Sequence, residues 1–105
     1  MNDSSRLYET QTADDVFVIR FKLEGMLETD QVKVREDELG ELFDTTDCSR
    51  IVLDFSVISF LNSTGLSLLI TLMRRAKANK RTLELCGLQP QIEEVLKITQ
   101  FHKLF

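Results

Sequence analysis

The sequence predicts an α/β fold built as a mixed β-sheet with its helices packed mainly on one face. Three observations lead there. Segments of period 2 and period 3.6 follow one another in the order β, β, α, β, α, β, α. The two early strands alternate apolar and polar residues and so show one face to water, while the later run Ile51-Val52-Leu53 is continuously apolar and suits a central strand.

The first strand, Tyr8 to Thr12, is expected to pair as a hairpin with the next through Ala13, Asp14 and Asp15, because acids suit a turn and an antiparallel neighbour needs only a short connection. Val16 to Glu24 alternates strictly. Phe17, Ile19, Phe21 and Leu23 lie on one side, and Arg20, Lys22 and Glu24 on the other. Thr29 or Asp30 can cap the first helix, in which Val32, Leu39, Leu42 and Phe43 share a face and Gly40 is a weak point. The central strand then runs from Arg50 to Phe55, with Asp54 and Ser56 marking its exit.

Leu66 to about Asn79 carries the strongest helical pattern, since Leu66, Leu69, Ile70 and Met73 fall at i, i+3, i+4 and i+7 with Ala76 beside them. This stripe is expected to face the core. Arg74, Arg75 and Lys77 gather near the carboxyl end, where they complement the helix dipole. Thr82 to Cys86 is the last strand, with Leu83 and Leu85 inward, Glu84 outward and Gly87 ending it. Cys86 is expected to be a buried structural thiol. Pro90, with Glu93 and Glu94 in the opening turn and Ile92, Val95, Leu96 and Thr99 at helical spacing, predicts a short final helix.

A chain of 105 residues, 43% hydrophobic with seven phenylalanines, has matter for one core, so a single domain over residues 1–105 is expected. No apolar run approaches the roughly 18 residues of a membrane span, and Met1 to Arg6 is polar where a signal peptide needs an apolar stretch. A cytoplasmic protein without a transmembrane segment is the expectation. Cys48 and Cys86 stand far apart with only His102 as a possible imidazole companion, which signals neither a zinc site nor a disulfide framework, and no cofactor is expected.

The net charge of -4 is unevenly spread: residues 1–60 carry 14 acids and 6 bases, residues 61–105 carry 3 acids and 7 bases. A solvated surface explains that split, though it could also bias the orientation of a partner. Direct nucleic-acid binding is not expected. The basic run Arg74, Arg75, Lys77, Lys80, Arg81 lacks interleaved aromatics, and the overall charge repels phosphates.

Between the central strand and the second helix, Phe60-Leu61-Asn62-Ser63-Thr64-Gly65-Leu66 crowds small polar residues into a turn. Asn62, Ser63 or Thr64 could each cap the helix, and Gly65 relaxes the backbone. Asp54-Phe55-Ser56, Ile58, Phe60 and Asn62-Ser63-Thr64-Gly65-Leu66 resemble the signature of STAS-domain anti-sigma factor antagonists. Gly87-Leu88, Pro90, Val95-Leu96 and Lys103-Leu104-Phe105 are similar to that family's final-helix region. The resemblance covers residues 16–105, and its most specific part is the serine corner.

That resemblance implies a STAS-like sheet and a phosphorylation site at the first hydroxyl of the corner, Ser63, with Thr64 the less favoured neighbour. The family pattern has an acid before the serine, and here that position is Asn62. The implied function is a partner switch: the unmodified protein binds an anti-sigma factor serine kinase and releases a sigma factor, phosphorylation ends binding, and a PP2C-type phosphatase resets it. Partner contact is expected from Asn62, Thr64 and Gly65, and from Leu68 and Leu72, which lie about 200° and 240° around the helix from Leu66. A second helix or a homodimer covering Leu68 and Leu72 is the plainer alternative, and the protein is expected to be a monomer or weak homodimer. The nearest functional rival is a STAS scaffold or transporter-associated module that does not switch. Ser63 as an enzymatic nucleophile with His102 as base is disfavoured, because no G-x-S-x-G elbow is present and no acid is placed to orient His102.

Overall fold

The computed structural model describes residues 8–22 and 32–98. Two short strands, β1 (Tyr8–Ala13) and β2 (Val16–Phe21), form the predicted hairpin, closed by Asp14 and Asp15. Asp14 takes a φ of 55°. Such a left-handed residue matches the twist of a two-residue β-turn, and Asp tolerates it better than most side chains. Behind the turn, Asp15 accepts from the Ser49 amide at 2.9 Å and from its hydroxyl, tying the hairpin to the start of the next strand.

The remaining elements are α1 (Val32–Thr45), β3 (Arg50–Asp54), α2 (Ser63–Ala78), β4 (Thr82–Cys86) and α3 (Pro90–Ile98). The four strands lie in the order β1-β2-β3-β4, with β1 antiparallel to β2 and both later pairs parallel. This is the mixed sheet that the alternating early strands and the apolar β3 called for. Leu23, Glu24, Thr29, Asp30, Thr99 and His102 fall outside the described residues.

Period 2 decides which side is covered. Phe17, Ile19 and Phe21 of β2, Ile51 and Leu53 of β3, and Leu83 of β4 are buried in one core with Leu39 and Phe43 of α1, Leu69 and Met73 of α2, and Ile92 and Leu96 of α3. The opposite face carries charge in crossed rows. Arg20 reaches Glu9 on one side and Asp54 on the other, both at 3.1 Å, and Arg50 meets Glu84 at 2.6 Å. Cys86 follows Glu84 onto this open side and is exposed, which corrects the expectation of a buried thiol. The same alternation that sends Leu83 inward sends residue 86 out. Its own partial burial and then the nearby Asp54 carboxylate hold the Cys86 thiol above its ordinary pKa.

Helices α1 and α2 pack side by side and run in the same direction. Arg75 of α2 grips Asp44 of α1 through Nε and Nη2 at 3.0 and 2.7 Å, and Asn79 reaches the same carboxylate at 2.8 Å. Gly40, one turn earlier on α1, lies against the Arg75 guanidinium: a Cβ there would stand 3.0 Å from Cζ. The glycine that weakens α1 as an isolated helix is what lets Arg75 cross it. Arg35 of α1, buried at 3% exposure, pairs with Glu38 at 3.3 Å.

Leu68 and Leu72 stand two turns and one turn before Arg75 and are buried to 1% and 0% exposure. Together with Arg75 and Asn79 they form the stripe of α2 that faces α1. They are therefore core residues, which corrects the expectation that they touch a partner. The predicted core stripe was also rotated: Gly65, Leu68, Leu69, Leu72, Met73 and Ala76 are buried, whereas Leu66 and Ile70 only pack against the core's margin. A helix closed by a sheet on one side and another helix beside it buries a wider arc than a single stripe.

Candidate functional site

The corner between β3 and α2 sits at the carboxyl end of a strand with neighbours on both sides. Asp54, the last residue of β3, starts it. Its Oδ1 accepts from the Ser56 amide at 2.9 Å and from the Ser56 hydroxyl, and its Oδ2 accepts from Arg20. Burial raises the Asp54 pKa, but the hydrogen bonds from Ser56 and Arg20 outweigh it and leave the carboxyl below its ordinary value. Gly87 is packed against this turn with a φ of 68°, and a Cβ there would stand 2.8 Å from Asp54 Oδ1. Only glycine fits both that backbone and that space.

From the turn the chain is anchored on alternate sides. Phe55, Ile58 and Leu61 are buried, Phe55 meeting Phe21 edge to face at 5.3 Å, while Val57 and Phe60 remain outside at 39% and 55% exposure. Gln89 donates to the Ser56 carbonyl at 2.8 Å, so the β4–α3 connection flanks this segment. The position of the following helix start is thus held by three buried side chains and two lateral hydrogen bonds, that of Gln89 and one from the Phe55 amide to the Cys86 carbonyl at 2.8 Å.

Of the three residues that could cap α2, Asn62 does so. Its backbone is extended, at φ -96° and ψ -176°, and its Oδ1 accepts from the Gly65 amide at 2.9 Å, while its carbonyl receives the Leu66 amide at 3.0 Å. Asn and Asp are equivalent caps, so Asn62 keeps the geometry that an acid in this position provides, without the charge. Ser63 is the first helical residue and is exposed; Thr64 is half-buried. The amides of Ser63 and Thr64 meet no acceptor among the described residues, as expected for the first turn of a helix. Gly65 is buried and its amide is taken by Asn62, so it shapes the corner from within and is not a contact residue, which corrects that expectation.

The arrangement brings together a free hydroxyl, two unoccupied amides and the positive end of a helix of 16 residues. It offers a place for an anion attached to Ser63. Phe60, quoted above only for the resemblance, is exposed while Ile58 and Leu61 are buried; this irregular segment has no period in its sequence from which to tell which side faces solvent. Among the described residues no group of three or more His, Cys, Asp or Glu is placed to hold a metal ion, and no helix is long and apolar enough to cross a membrane.

Comparison with known proteins points one way. The family described as STAS domain matches residues 8–105. A Bordetella bronchiseptica protein, BtrV, provisionally described as an anti-sigma factor antagonist, is 28% identical over 83 residues, covering 79% of this chain and 71% of its own. Two solved structures share the fold. One is a Thermotoga maritima protein provisionally described in the same way, with a TM-score of 0.80 at 17% identity over 91% of this chain and 80% of its own. The other is the anti-sigma factor antagonist SpoIIAA in its unphosphorylated form, with a TM-score of 0.73 at 20% identity over 92% and 84%.

Proposed function

The chain belongs to the STAS domain family, and on that premise we propose that it is an anti-sigma factor antagonist switched by phosphorylation of Ser63. Unmodified, it binds an anti-sigma factor serine kinase in the cytoplasm and so releases a sigma factor. The kinase then transfers the γ-phosphoryl group of ATP to Ser63 Oγ; the bond to ADP breaks, the hydroxyl proton leaves, and the modified protein dissociates. A PP2C-type phosphatase hydrolyses the ester and restores the binding form.

One observation carries this reading: Asn62 caps α2, so the Ser63 hydroxyl is exposed and free of structural duty. A phosphate there adds roughly -1.5 to -2 charges beside unoccupied amides. The helix end favours that charge by about 0.3 to 2 kcal/mol, so the fold tolerates it. Forcing the same charge, unpaired, into a closed interface costs several kcal/mol, and each ~1.4 kcal/mol is tenfold in affinity. The interface is what gives way.

The test is to incubate the purified protein with ATP and each anti-sigma factor kinase encoded beside it, then weigh the intact protein and locate the modification. One phosphate on Ser63, absent from Ser63→Ala, is expected, with a melting temperature close to that of the unmodified protein. Absence of any added phosphate overturns the switch and leaves a STAS scaffold. Phosphate on Thr64 alone moves the switch by one residue.

A further inference from the structure

The exposed large apolar side chains among the described residues are Val34, Val57 and Phe60, and two of the three stand on the segment that leads into Ser63. Phe60 is 55% exposed, three positions before the serine, although the same segment buries Phe55, Ile58 and Leu61 completely or nearly so. An aromatic ring left in water beside a core with room for its neighbours invites an explanation.

Charge supplies the second observation. In a chain that is 29% charged, residues 55–73 contain no charged side chain at all. The connection that flanks them, held by the Gln89 bond to Ser56, is equally neutral from Leu85 to Ile92. Asp54, at the base of the corner, is already paired with Arg20. The two segments that carry and flank Ser63, residues 55–73 and 85–92, are therefore uncharged, and Val57 and Phe60 are the large apolar side chains they leave exposed.

We propose that Phe60 and Val57 are the apolar anchors by which the unmodified protein docks on its kinase, in a pocket lined by uncharged, apolar side chains next to the kinase's phosphoryl-transfer site. This rests on the switch reading above and specifies what the switch acts on. Attraction in the unmodified state comes from burying Phe60 and Val57, with little Coulomb contribution. Phosphorylation then places a charge in the middle of an uncharged segment, opposite a partner pocket without a counter-charge for it. Buried aromatic side chains at the centre of a neutral patch are where binding energy concentrates.

The experiment uses the purified kinase that phosphorylates Ser63, loaded with ADP so that no phosphoryl group is available for transfer. Affinity is measured for the wild type, Phe60→Ala, Val57→Ser and Ser63→Asp, with thermal melts of each. Phe60→Ala is expected to weaken binding at least about tenfold and Val57→Ser several-fold, without lowering the melting temperature. Raising NaCl from about 50 to 500 mM should change the wild-type affinity less than about threefold, because an uncharged contact is not screened.

Wild-type affinity in Phe60→Ala, alongside lost binding in Ser63→Asp, overturns the anchor and leaves the switch standing. A steep salt dependence of the wild type overturns the neutral docking surface. Loss of self-association in Phe60→Ala, with kinase affinity unchanged, assigns the patch to a second copy of this chain and also overturns the proposal. Failure of every kinase to modify Ser63 removes the switch reading, and this inference with it.

Discussion

Removing the Asn62 carboxamide takes away the acceptor that holds the Gly65 amide at 2.9 Å, so Asn62→Ala is expected to lower stability by about 1 kcal/mol in urea unfolding. Ser63→Ala, one residue on, removes an exposed hydroxyl for which no bond is required and should leave stability within about 0.5 kcal/mol of wild type. The contrast between these two variants separates capping from modification at neighbouring positions. From sequence, all three polar residues of the corner were equal candidates for the cap. Composition cannot rank them, because the choice depends on where the backbone turns from extended to helical, and that point is set by the burial of Ile58 and Leu61 upstream.

At the scale of the helices, the interface of α1 and α2 is apolar near the start of α2 and charged near its end. Leu72, with 0% exposure, belongs to the apolar part, and Leu72→Ala is expected to cost about 2–5 kcal/mol, read as a shift of the urea midpoint. The charged part gives an acid dependence. Hydrogen bonds from Arg75 and then Asn79 hold the Asp44 carboxyl down, from 3.8 to about 2. A group more acidic when folded stabilises the fold fully above its unfolded pKa, and that contribution disappears as pH falls through the folded one. The melting temperature should therefore drop between about pH 4 and pH 2, and drop less steeply in Asp44→Asn. Asp15 and Asp54, also held below their ordinary values, add to the wild-type slope in the same direction.

Element type and order were legible because period 2 and period 3.6 were both strong here, and Gly87 and Pro90 punctuated the last strand and helix. The side of α2 that meets α1 was not. A leucine at i+2 from a core stripe looks the same whether water, a partner or a neighbouring helix covers it, and only the Asp44 grip of Arg75 and Asn79 shows which.

Seen as a whole, the molecule divides its charge for a reason the sequence left open. The acidic first half and basic second half meet across α1 and α2: Asp44 raises the pKa of Arg75 by direct bonding, and Asp37 and Glu36 add to it through space. Part of the imbalance is thus taken up by pairing between α1 and α2, and residues 55–73, which lead into α2 and form its first turns, carry no charge. The family resemblance made Ser63 visible; its freedom from the capping bond came only from the backbone around it.

The parallel run of α1 and α2 has a further effect on the ester that Ser63 is proposed to carry. Both helices open toward the same rim, so a phosphate on the first residue of α2 meets two vacant amides directly and, at longer range, the positive end of α1 as well. Such surroundings favour the dianion over the monoanion, and the second ionisation, near pH 6 for an ordinary phosphoserine, should fall below that value. A phosphorus NMR titration of the modified protein reads this midpoint directly, and an unshifted midpoint would mean that the amides do not reach the ester. With the shift, the modified protein carries its full double charge throughout the neutral range, and small changes of acidity around it leave the signal untouched.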